Sequence, residues 1–172
     1  MKLIDAFRSI SRNCMQMLVR HTWRSMISSS TKLRLYNVYT LPVFLYGAET
    51  WSITKAIEKR VDAFDQWYLR RILNITWSER VTNFEVRRRT GQTPPSDTVR
   101  TKRLKLFGHV ARANKSQDHS RALQACISPA PRNWRRRPGR PRHTWVRTVE
   151  EDLRQFNLGL ASGLRRAQNR TT

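Results

Sequence analysis

The 172 residues carry 34 Lys and Arg against 12 Asp and Glu, a formal net charge of +22, with 38% hydrophobic residues. So large a basic excess points to a polyanionic partner, and that apolar content supports one modest core. Membrane association is not expected, because the longest apolar-rich run, Leu41 to Ala48, contains Pro42 and falls far short of the roughly 20 residues a spanning helix needs.

From Lys2 to Arg20, Leu3, Phe7, Ile10, Cys14 and Met17 recur at steps of three and four, with Leu18 widening the stripe. That spacing predicts an amphipathic helix, and Asp5 and Arg8 within it exclude a secretory signal. Ser28 to Ser30 form a polar break that supplies an N-cap. Leu33 to Tyr46 is apolar on nearly every side, which predicts a buried helix kinked at Pro42 and ended by Gly47. Ile57, Val61, Phe64, Tyr68 and Ile72 predict a third helix from about Thr54 to Asn74. Thr82 and Glu85 fit a capping box that opens a short helix closing at Gly91. Pro94-Pro95-Ser96 opens another, with Val99, Arg103, Leu106 and Val110 on a face shared with Phe107. Trp145, Val149, Leu153 and Phe156 define a C-terminal amphipathic helix, with Glu150, Glu151 and Asp152 expected on its wet side.

No run alternates with period two, so the expected fold class is all-α. The expected organisation is a helical bundle over 1–92, a basic helical extension over 93–128, an Arg/Pro-rich loop over 129–143 and a C-terminal helical segment over 144–172. Cys14 and Cys126 lie far apart, without a CxxC or Cys/His cluster, and His21, His109, His119 and His143 lack ligand spacing. Neither a metal site nor a disulfide framework is therefore expected. Trp51, Trp67, Tyr68 and Trp77 sit beside apolar stripes and are assigned to the core.

The densest signal is Asn133 to Trp145. Arg135, Arg136, Arg137, Arg140 and Arg142 fall within eight residues, interrupted by Pro138, Gly139 and Pro141. Guanidinium groups at that density repel one another unless a polyanion neutralises them, and the prolines hold the segment extended. Three readings follow in order: nonspecific nucleic-acid contact, a nuclear localisation signal, and AT-hook-like insertion of Gly139-Arg140-Pro141 into an A·T minor groove. Trp134, between Arg132 and Arg135 in a polar loop, is the aromatic residue placed to stack on bases.

Six blocks then occur in an order that resembles the region following the palm in non-LTR (LINE-type) retrotransposon reverse transcriptases. They are Thr31 to Tyr36; Leu45 to Trp51; Leu69 to Trp77; Asn83 with Val86, Arg87 and Thr90-Gly91; Leu104 to Arg112; and Gly139 to Trp145. The resemblance implies a helical thumb and a basic post-thumb region that lie against primer and template. It implies phosphate or base contact by Arg70, Arg71, Arg87, Arg88, Arg89, Lys105, His109, Arg112, Trp134, Arg135, Arg136, Arg137, Arg140 and Arg142.

The family's chemistry needs palm carboxylates that hold two Mg2+ ions about 4 Å apart. This chain has no Asp-Asp pair, and its six aspartates are scattered, so no catalytic residue and no cofactor are assigned. Ala167 to Thr172 resembles the stretch before a tryptophan that commonly closes these proteins, so a fragment cut at both ends is expected. The expected partners are RNA or DNA, with no small-molecule substrate, in an intracellular and nuclear setting; the oligomeric state stays open. A stand-alone AT-hook-like DNA-binding protein, or a pseudogene product without selected function, are the alternatives.

Overall fold

The computed structural model describes residues 2–17, 22–23, 25–129, 132–135, 138–139 and 143–169, with the side chains of 2–8 and Cys14 outside that description. The fold is all-α, and no strand occurs among the described residues. The helices are α1 (Lys2–Met17), α2 (Ser29–Leu35), α3 (Leu41–Phe44), α4 (Lys55–Ile72), α5 (Asn83–Thr90), α6 (Pro95–Arg112), α7 (Asp118–Ile127), α8 (Trp145–Arg154) and α9 (Leu160–Gln168). The chain divides into two compact units, one of residues 1–48 and 58–98, the other of 49–57 and 99–172.

The first unit is built on aromatic packing. Phe44, Phe64 and Tyr68 form a chain of rings with centroids 4.8 and 4.6 Å apart, and Tyr36 joins Tyr68 at 5.7 Å. Tilted and edge-on contacts of this kind add to the area they bury. Ser28 caps α2 by accepting from the Thr31 amide, as its sequence position implies. The expected single helix from Leu33 to Tyr46 is in fact interrupted. Pro42 has no N–H to donate, and the chain widens into a π turn at Tyr36–Thr40 before α3 begins. Gly47 then ends the run with φ at 64°, a conformation glycine adopts without penalty. The expectation of burial on every side is also corrected. Tyr36, Phe44 and Leu45 are buried, whereas Val38, Tyr39 and Tyr46 are exposed.

Thr82 caps α5 by accepting from the Glu85 amide. The Glu85 carboxylate does not complete a capping box, because it receives Arg88 and Arg89 instead. In the same unit Asp62 accepts from the Ser96 amide at 3.0 Å and from its hydroxyl at 2.9 Å, which satisfies donors at the start of α6.

The second unit packs Phe107 and Ala111 of α6, Leu123 of α7, Val149 and Leu153 of α8 and Leu164 of α9 into one core. Gly163 lets α9 approach α8 closely: a Cβ there would lie 2.7 Å from Leu153 Cδ1 and force that side chain to shift. Phe156 is exposed, since α8 stops at Arg154 and the apolar stripe runs past its end. Asp152 departs from the expected wet side. It is buried with Val149 and Leu153, the spacing of three and four that marks the inward face.

Candidate nucleic-acid interface

A cation can serve an external phosphate only if the fold leaves some of its donors open. Arg103 is wholly internal: its Nε donates to Asp152 Oδ2 at 2.6 Å and its Nη1 to the Trp51 carbonyl at 3.0 Å. Arg100 Nε lies 3.5 Å from the other Asp152 oxygen. In the first unit Arg87 is held in the same manner. Its Nη2 pairs with buried Asp65 at 2.8 Å, and its Nη1 donates to the Thr93 carbonyl at 2.9 Å. Tyr36 donates its hydroxyl to the same carboxylate at 2.5 Å.

The other candidates divide between the two units. On α4, Arg70 donates through Nη2 to the Val81 carbonyl at 2.7 Å and to Asn83 Oδ1 at 2.9 Å, tying the helix end to the start of α5. Arg71 is exposed and lies over the Trp67 ring, 5.2 Å from its centroid. Arg88 and Arg89 are exposed on α5, and both hydrogen-bond Glu85. Those bonds hold the Glu85 carboxyl down to about 2, so it stays ionised and offsets part of the local positive charge.

In the second unit Lys105, His109 and Arg112 are exposed at steps of four and three along α6, which aligns them in one stripe. Arg112 is also anchored, donating to the Ala167 carbonyl at 3.0 Å. Trp134 and Arg135 are exposed neighbours in a loop. Arg136, Arg137, Arg140 and Arg142 lie outside the described residues.

The aromatic residues do not sort as their positions along the stripes suggest. Trp51 and Tyr68 are buried, Trp67 is 41% exposed and Trp77 is 88% exposed. Trp77 lies beyond α4 in the short 3-10 turn Trp77–Glu79, so the helical stripe does not carry its ring into the core. Lys32 is the further cation that the sequence reading left out. Spaced four residues from buried Tyr36, it shares the inward face of α2, and its ammonium donates to the carbonyls of Trp23 and Ser25.

No group of three or more His, Cys, Asp or Glu side chains is placed to hold a metal ion among the described residues. The described residues thus do not fit the two Mg2+ ions that the resemblance attaches to a palm. No helix among the described residues is long and apolar enough to cross a membrane.

Fold and surface together define a basic, all-helical protein with exposed cations on α4, α5 and α6. Over 138 residues it is 25% identical to an uncharacterised transposon-derived protein of Caenorhabditis elegans, an alignment that covers 78% of this chain and 48% of that protein. The chain thus spans about half the length of this relative. No family model and no solved structure matches it.

Proposed function

We propose that this chain is of transposon origin and is the thumb and post-thumb part of a LINE-type reverse transcriptase, holding RNA or DNA through its backbone without catalysing extension. The observation that carries the reading is how the charges are distributed. Of only 12 acidic residues, Asp65 and Asp152 are buried against arginines of the fold, while Arg71, Lys105, His109, Arg112 and Arg135 remain exposed. The order of the sequence blocks supports the family, and the similarity to a transposon-derived protein supports the origin. The sequence holds no counterpart of the palm carboxylates, so on this reading the portion acts by binding alone, without a cofactor, in a nuclear setting.

Backbone binding has a measurable signature. Association constants for labelled RNA and duplex DNA should fall linearly on a log–log salt plot, by about 0.7 to 0.9 per neutralised phosphate. With six or more contacts the affinity drops about a thousandfold between about 50 and 200 mM salt. Undetectable binding at about 50 mM salt overturns the reading.

One observation favours a second reading. Gly139 has φ at 126°, a backbone that side chains rarely adopt, at the centre of Pro138-Gly139-Arg140-Pro141. AT-hook-like binding predicts preference for A·T-rich duplex that Arg140→Ala abolishes. Equal affinity for G·C-rich duplex in the same titration excludes it.

A further inference from the structure

Within the first unit, Lys32, Arg70 and Arg71 line a cleft of about 510 Å³ together with Ser25, Asn74 and Thr76. Three cationic residues line it, and no carboxylate is among its described lining residues. Lys32 is the informative member. It is buried, and its ammonium has three donors, of which two reach the Trp23 carbonyl at 2.9 Å and the Ser25 carbonyl at 3.0 Å. Held by two carbonyl oxygens, with no carboxylate among the described lining residues, that ammonium has charge available to an anion. Arg70 is clamped by Val81 and Asn83 through one nitrogen, which fixes its guanidinium while leaving its other donors. Arg71 is held against Trp67. The neighbouring carboxylate, Glu79, accepts from the amide of Thr76 at 2.8 Å and from its hydroxyl at 2.9 Å.

Immediately after Thr76 comes Trp77, the most exposed tryptophan described. A large aromatic ring left in water beside a cationic cleft matches the repeating unit of a single strand: one phosphate and one unpaired base. A duplex hides its base faces within the stack, whereas a single strand offers them to an aromatic platform. Resting on the nucleic-acid reading above, we propose that this cleft takes a backbone phosphate of single-stranded nucleic acid and that Trp77 stacks on an adjacent base. Lys32 and Arg70 form the fixed floor, and Arg71 closes the exposed side.

The test uses the full chain with labelled oligothymidylate and a blunt duplex, followed by fluorescence anisotropy. Trp77 and Arg71 are both exposed, so Trp77→Ala and Arg71→Gln should unfold at the wild-type urea midpoint. Trp77→Ala should weaken oligothymidylate binding about fivefold or more, while Trp77→Phe retains most of it. Arg71→Gln should reduce the steepness of the salt dependence by about 0.7. Duplex binding should change little in the Trp77 variants, because a duplex keeps its base faces within the stack. If the variants bind oligothymidylate as tightly as the wild type does, the cleft proposal fails and general nucleic-acid binding stands. An equal loss of Trp77→Ala on the duplex, or a wild-type preference for phosphatidylserine vesicles over the oligonucleotide, also overturns it. A wild-type chain that binds neither nucleic acid overturns both readings.

Discussion

Replacing Asp152 with alanine should destabilise the second unit by about 3–5 kcal/mol, read as a lower urea midpoint. Arg103 has no exposed surface, and Asp152 receives its Nε at 2.6 Å. Without that carboxylate a guanidinium stays buried with only the Trp51 carbonyl on Nη1, and Arg100 loses the same anion. The penalty comes from stranding a charge, not from losing an intrinsically strong attraction. The double change Arg103→Met with Asp152→Leu should therefore recover most of the loss, because an apolar pair of similar volume avoids desolvating two ions. A loss below about 1 kcal/mol for Asp152→Ala would mean that Arg103 reaches water. It would then return to the set of cations open to a phosphate.

Asp65→Ala should cost the first unit about 3 kcal/mol, since it strands Arg87 and leaves the Tyr36 hydroxyl without its acceptor. The pH dependence gives an independent check. Burial raises the Asp65 carboxyl above its ordinary 3.8, against the lowering by the Tyr36 hydrogen bond and by Arg87; Asp62 adds a small push upward. An acid whose folded pKa lies above its unfolded value binds its proton more tightly when folded. Its ionised form is thus penalised at neutral pH, and the penalty lifts as pH falls through the raised value. Wild type should gain stability relative to Asp65→Asn as pH falls through the raised value, with the gain complete once pH is below 3.8. Glu85, held to about 2, is present in both proteins and cancels in the comparison. Loss of relative stability over that window would mean that the Arg87 attraction outweighs burial.

Both aspartates bear on function because they decide which arginines belong to the fold. Arg87 falls in the basic run Arg87-Arg88-Arg89 and looks equivalent to its neighbours in the sequence. The structure separates them: Arg87 turns inward to Asp65, and Arg88 and Arg89 face solvent with Glu85. Lys32 shows the converse. In the sequence it follows the polar break Ser28 to Ser30 and carries no mark of burial, yet it lies buried and lines a cationic cleft.

Several of these outcomes were within reach of spacing alone. Val149, Asp152 and Leu153 recur at three and four, as do Val99, Arg103 and Phe107 at four and four, which places one acid and one base on inward faces. A buried charge on each of two helices is a reason to look for a pair. Trp77 was not within that reach: the left-handed turn at Asn74, φ 55°, ends α4 before the stripe arrives at Trp77, and only the structure shows it.

By itself the sequence determined the helical class, the approximate limits of α4, α5, α6 and α8, the caps at Ser28 and Thr82 and the basic excess. These depend on local chemistry, since periodicity, capping and charge count involve residues within a few positions of one another. Only the tertiary structure decided which charges are internal, which aromatic rings remain in water and where cations converge. Arg103 and Asp152 are 49 residues apart, and Tyr36 and Asp65 are 29 apart. Periodicity orients a side chain about its own helix axis. Whether that direction leads to water, to a carboxylate or to a cleft depends on which distant element packs there.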